Sequence, residues 1–531
     1  MMVKVGRIAL AVALLGGLAS AQRYWKFEAP AHGLTMKLPR WLEPVPTKPG
    51  DEQTIGQFKG KWKASDRTWG REPELTLLVV KIVRTEGPTT GGKEEEEVPE
   101  DPRSLTEMRV ERLNAARSLA EYCEHRGYAR GLLPENDLLK KPVEDENDVE
   151  YQLLKYPSPR GAKYGALLYA FADESTNESF GVIAIGPGCN AHFREVARAV
   201  STIERTAVTA DATDGADDPY AESELRDLER RRRVRSELVP GWSAHDSENY
   251  ILVTNVKSNR MIEDMLTALE VMRAAYLERF PPAEGADMSA VSTVRLCDGY
   301  EDYLRYAGQR MDGTGGYWMF TEEELVLFNP ERKVPRSRPW LAKVEAHRVM
   351  YHEAMHQYFH YSNRALAPAS WFNEGYGEYF GGAEIDLRRQ RLKEIDPNDF
   401  RLDLIRLANK QDRDPPNLKR MLEMTQAEFY GMSAMANYAY SWAFCHFLEE
   451  QRALSTRNRQ RVEAWCELPD RYLAELRKAT AEKRDEMPPG APEDWIAGFQ
   501  NEIQKIAIEK ALEGIDMDAL SEAFRDYCSK M

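Results

Sequence analysis

The segment HRVMYHEAMHQYFHYSN, residues 347–363, carries four of the nine histidines in the chain. Two of them stand four residues apart with a glutamate after the first, His352-Glu353-Ala354-Met355-His356. On a helix this spacing brings two imidazoles to nearly one face, about 6 Å apart along the axis, within reach of a single metal ion. The run from Leu341 to Tyr361 contains neither Gly nor Pro, which suits a helix. Glu353 flanks the metal position instead of competing for it. From there it can take a proton from a water that attacks a carbonyl.

Two histidines do not complete a catalytic zinc site, which takes three protein ligands and leaves one position open. With seventeen residues between it and His356, Glu374 in the stretch APASWFNEGYGEYFGG stands on a second apolar, helix-forming segment that follows a turn marked by Pro368. That distance lets the first helix end and the chain reverse. His360 continues the series at i+8 from His352, but one straight helix does not wrap three ligands around a tetrahedral ion. It reads as packing or substrate contact, His347 as off the metal face, and His446 as structural.

Together, H-E-x-x-H and the downstream W-x-N-E-G resemble the gluzincins, zinc metallopeptidases that include the thermolysin-like and aminopeptidase N families. The resemblance implies one zinc ion held by His352, His356 and Glu374, with Glu353 as general base. It sets Glu378, one turn after Glu374, where thermolysin-like proteins have a carboxylate that hydrogen-bonds a zinc-bound histidine. It also aligns NYAYSWAFCHFL with the Y-x-K-G helix of the aminopeptidase N family, Tyr438 on the tyrosine and Leu448 on the closing leucine. The tyrosine of that family donates to the oxyanion of the tetrahedral intermediate. Here Tyr440 stands at the lysine position and Ser441 at the glycine, so the donor is Tyr438 or Tyr440. The whole pattern looks most like secreted bacterial peptidase-MA-like proteins over about residues 241–470.

The resemblance implies a zinc peptidase acting on a peptide or protein substrate. Its alternative is a catalytically silent protein that keeps the fold for binding or assembly in the cell envelope. A third reading is hydrolysis of a non-peptide amide or ester. The aminopeptidase segment of type G-x-M-E-N is absent from GTGGYWMFTEEELVLFN, where Glu322, Glu323 and Glu324 fall at a hairpin turn, and this favours an endopeptidase. GYWMF or ELVLF is the candidate edge strand for an extended peptide.

The elements that must hold these residues follow from pattern. With 531 residues, 42% of them hydrophobic, the chain has material for two or three cores. Its net charge of −15 argues against nucleic acid, since phosphate binding needs a basic surface. The arginine run Arg230 to Arg233 is interleaved with acids and reads as a solvated helix face. Residues 1–21 pair Lys4 and Arg7 with a short apolar run and Ala19-Ser20-Ala21, the pattern of a cleaved signal peptide. The protein is therefore expected to be exported, with no membrane span after signal removal. The six cysteines are scattered and read as buried free thiols.

From residue 22 to 207 the strand runs LTLLVVKIV, YGALLYAFAD and SFGVIAIGP, closed by the helix NAHFREVARAVSTIE, predict an α+β domain with an antiparallel sheet. Residues 86–102 read as a charged loop, and residues 208–240 as a linker and charged helix running from about Tyr220 to Leu238. Residues 241–531 are expected to form the gluzincin-like domain, a mixed sheet and an active-site helix followed by a helical part from about residue 400. The fold class is α+β throughout.

Overall fold

The computed structural model describes residues 24–48, 51–61, 74–83, 114, 116–126, 143–144, 150–157, 163–173, 178–187, 193–206, 218–286, 288–307, 311, 314–320, 322–329, 331–332, 346–363, 367–455, 463–483, 486 and 493–531. The signal-like start, the charged loop at 86–102, most of the linker and Cys189 lie outside them. Among the described residues no helix is long and apolar enough to cross a membrane. Cys123, Cys297, Cys445, Cys466 and Cys528 are buried free thiols.

The fold is α+β. In the N-terminal part a seven-stranded sheet runs in the order Glu43–Val45, Thr54–Lys61, Glu74–Val83, Glu178–Pro187, Lys163–Asp173, Glu150–Pro157, Val143–Glu144. Every pair in it is antiparallel. LTLLVVKIV falls within the third strand of that order. YGALLYAFAD and SFGVIAIGP form the expected hairpin, with Tyr169 opposite Val182. Tyr24–Ala29, Leu34–Pro39 and Glu204–Arg205 make a second, three-stranded sheet. The helix Phe193–Val200 buries Val196, Ala197 and Val200 against Leu34, Met36, Leu77 and Val182.

The second part is built on a five-stranded mixed sheet, ordered Ser243–Asp246, Tyr250–Thr254, Ser292–Cys297, Glu324–Phe328, Gly316–Met319. The three inner strands are parallel and almost wholly buried, and the two outer ones are antiparallel. Continuous apolar runs such as YILVT suit strands covered on both faces. The 21-residue helix Asn259–Arg279 makes the crossover between the first two parallel strands. One core joins Leu252, Val294 and Leu325 of this sheet to that helix, to Ala346–Ser362 and Ser370–Phe380, and to the helical C-terminal region. Ala383–Asp386 pairs with Arg391–Ile395 as a two-stranded sheet before the long helices begin.

Of the two candidate edge strands, Gly316–Met319 is the edge; Glu324–Phe328 is paired on both sides. The two parts of the chain meet behind this hairpin. Val45 joins the aromatic cluster of Tyr300, Tyr303, Tyr306, Tyr317 and Phe328. The Lys48 ammonium donates to Tyr317 Oη at 3.1 Å and to Glu322 Oε2 at 3.2 Å, and lies 3.8 Å above the Tyr306 ring.

The arginine run departs from the expected solvated face. Its helix spans Leu228–Ser236, and both Arg230 and Arg231 are buried in it. Arg231 donates to the carbonyls of Arg226, Ser247, Glu248 and Tyr250 and to the Asp246 carboxylate. A guanidinium carries five donors in a fixed fork, so it can satisfy several carbonyls at one place where the chain turns into the sheet. Arg231→Ala removes a donor from each of those carbonyls and leaves the Asp246 carboxylate to Arg235 and the Tyr220 hydroxyl alone. It is expected to lower stability by about 3–5 kcal/mol, read as a fall in the urea unfolding midpoint; a loss under about 1 kcal/mol would contradict this account.

Candidate metal centre

The helix Ala346–Ser362 buries Met350, Tyr351, Ala354, Met355, Tyr358 and Phe359 in the core. At 3.6 residues per turn this leaves a second stripe, His352, Glu353, His356 and His360, only partly buried. The helix Ser370–Phe380 packs beside it and is itself backed by the long helix Ala434–Ser455. Its glycines allow the close approach. A Cβ at Gly375 would stand 2.6 Å from Cys445 Sγ and 2.8 Å from the Ser441 carbonyl oxygen. A Cβ at Gly377 would stand 2.9 Å from both Cε1 and Nδ1 of His352.

This packing brings His352, His356 and Glu374 together, with one ligand atom from each lying within 4.8 Å of the others. His352 Nε2 is 3.1 Å from Glu374 Oε2, and His356 Nε2 is 3.7 Å from the same oxygen. The opposite ring nitrogens face acceptors. His356 Nδ1 lies 3.1 Å from Asn373 Oδ1, and His352 Nδ1 lies 3.7 Å from Glu378 Oε1. Two imidazoles that turn Nε2 to a common point, with acceptors beside Nδ1, fit a zinc donor set. The Glu378 contact is longer than a hydrogen bond. Its carboxylate accepts from Asn398 Nδ2 at 2.6 Å and from Arg401.

The electrostatics favour a cation here. Burial opposes a charged His352, but the hydrogen bond with Glu374 and the charges of Glu378, Glu353 and Glu374 outweigh it and raise its pKa to about 9. Burial alone would raise Glu374; the His356 charge and the hydrogen bonds to both rings outweigh it and hold the carboxyl well below its ordinary range. Carboxylates facing two imidazoles in a buried setting stabilise positive charge.

Glu353 is half-exposed beside this cluster, and its Oε2 accepts from the backbone N–H of Trp318 at 2.9 Å. The edge strand and the helix Ala346–Ser362 therefore meet at Glu353. Tyr438 lies on the same side, its ring 6.5 Å from that of His352 and beneath the Arg401 guanidinium at 4.7 Å. Burial and the Glu374 charge raise its pKa, so the phenol stays protonated and can donate. Tyr440 is not brought to the site. Two residues on a helix turn through about 200°, and Tyr440 is buried with Cys528, Arg413 and Asp414 for neighbours.

The three other histidines singled out in the sequence, His360, His347 and His446, have partners of their own. His360 Nε2 lies 3.4 Å from Glu323 Oε1, its ring 5.5 Å from that of Trp318, so it faces the hairpin. His347 packs on Tyr351, and His446 bonds the Tyr527 hydroxyl at 2.6 Å. Sequence reasoning did not reach Asn373, Trp318, Gly377 or Tyr430, whose hydroxyl donates to Glu374 Oε1. Only Gly377 left a signal, since two glycines inside one helix cost about 1 kcal/mol each relative to Ala and imply a close approach.

Gly377→Ala is expected to push the His352 ring aside. Zinc affinity, measured by competition with a chromophoric chelator, should fall roughly tenfold or more, while the metal-free protein melts no earlier because Ala favours the helix. Equal affinity in the two proteins would show that the ring has room to spare.

Comparison with known proteins adds one finding. No curated protein matches the chain. Residues 347–458 match the family model described as "Protein of unknown function (DUF1570)", a span that begins at His347 and contains both histidines, Glu353, Glu374, Glu378, Tyr430 and Tyr438.

Proposed function

We propose that this chain is an exported, gluzincin-type zinc hydrolase that cleaves peptide bonds within a chain. The observation that carries the reading is the convergence of His352, His356 and Glu374, with Glu353 beside them and hydrogen-bonded to the edge strand. Bound zinc would supply a Lewis acid that polarises the scissile carbonyl and acidifies water. Glu353 takes the proton from the attacking water and delivers it to the leaving amine as the C–N bond breaks. Tyr438 donates its hydroxyl proton in a hydrogen bond to the carbonyl oxygen as negative charge develops there. The edge strand Gly316–Met319 offers the backbone along which an extended substrate pairs.

The hairpin acids favour internal cleavage. An aminopeptidase needs a carboxylate free for the substrate's terminal ammonium, but all three already hold partners from the chain. Glu322 pairs with Lys48, Glu323 with Arg230 and His360, and Glu324 with Arg295 and the Tyr306 hydroxyl. The run resembling a signal peptide supports export.

The test is hydrolysis of a denatured protein and of end-blocked peptides by the zinc-loaded protein and by Glu353→Gln. The variant should retain zinc and lose at least about a hundredfold in rate. An undiminished rate would refute Glu353 as the base. Hydrolysis of esters alone would move the assignment away from peptides.

A further inference from the structure

We infer that Tyr430 is a positioning residue for the metal ligand Glu374, holding that carboxylate so that it presents a single oxygen to the ion. The inference rests on the zinc reading above and goes beyond it, because neither the H-E-x-x-H pattern nor the downstream glutamate motif includes this tyrosine.

The geometry divides the two carboxylate oxygens between two tasks. Oε2 faces both imidazoles, 3.1 Å from His352 Nε2 and 3.7 Å from His356 Nε2. Oε1 accepts from the Tyr430 hydroxyl. With Oε1 engaged, the carboxylate cannot rotate to offer both oxygens without breaking a charge-assisted hydrogen bond, one of the stronger kind. Glu374 is 4% exposed, so water has little access to replace the phenol.

Tyr430 can do this because its backbone is fixed even though its side chain is partly exposed. The short helix Gln426–Phe429 before it begins with a capping box, in which Thr425 and Glu428 satisfy one another's backbone N–H groups. Phe429 is fully buried, and Asn437 Nδ2 bonds its carbonyl at 2.8 Å, tying the turn to the tyrosine helix. The Tyr430 ring then lies 5.4 Å from Phe429 and 6.1 Å from Tyr438. Tyr438 lies beside the same carboxylate and the Tyr430 phenol, and the geometric hydrogen bond to Glu374 Oε1 comes from Tyr430.

The experiment is a double-mutant cycle on zinc affinity, with wild type, Tyr430→Phe, Glu374→Ala and the double variant titrated against a chromophoric chelator. Phe keeps the ring and removes only the donor. Tyr430→Phe should weaken zinc roughly tenfold or more, and should add nothing once Glu374 is Ala, because the tyrosine acts through that carboxylate. Unchanged affinity in Tyr430→Phe, with wild type binding tightly, would overturn the inference and leave the zinc reading intact. An equal loss in both backgrounds would also overturn it, since a general structural role behaves that way. Absence of zinc binding by wild type would remove the inference together with the reading beneath it.

Discussion

The organising constraint is the burial of one carboxylate. Glu374 is taken almost wholly out of water, and an ionised carboxylate in that position is tolerable only if its surroundings supply positive charge or hydrogen bonds. Two helices and a turn arrange for both. The helix Ala346–Ser362 brings two imidazoles, the turn before the tyrosine helix brings a phenol, and the helix Ser370–Phe380 holds the carboxylate between them. The spacing of these helices is set by glycines at positions where any side chain would strike Cys445 or His352. A core of large aromatic residues, including Trp371, Phe372, Tyr376, Trp442 and Phe444, fixes them in place.

The same economy of charge runs through the hairpin beside the site. Three consecutive glutamates there would repel one another, yet each is matched by a cation from a different part of the chain. Lys48 comes from the N-terminal region, Arg230 from the charged helix and Arg295 from the neighbouring parallel strand. The edge strand is thus positioned by groups far apart in sequence. In this structure the N-terminal region reaches the site through that hairpin, with Lys48 and Val45 packed behind it.

Some of this was legible in the sequence, and some was not, for physical reasons. H-E-x-x-H is readable because a helix converts a spacing of four into a shared face. The strand runs of the N-terminal sheet are readable because they are short apolar runs rich in β-branched and aromatic residues and bounded by turn formers. The hairpin Ala383–Ile395 is not legible in the sequence because its residues, with Arg388, Arg389, Arg391 and Lys393 among them, are mostly exposed and carry no alternating pattern. The choice between Tyr438 and Tyr440 depends on which side of a buried helix faces the ligands, and an alignment of letters does not contain that rotation. Tyr430 and Trp318 touch the site only through tertiary approach. A run of four arginines likewise conceals which members are folded inward.

The hydrogen bond from the Trp318 N–H to Glu353 has a bearing on solubility as well as on chemistry. An outer strand with unpaired backbone groups is a template for stray strands from other molecules. At one edge of the mixed sheet, Arg235 occupies the Ala244 carbonyl and Arg231 and Arg235 hold Asp246. At the other edge the guard is Glu353 itself. The carboxylate proposed above as a proton acceptor is thus also the group that keeps this edge from recruiting an unwanted neighbour.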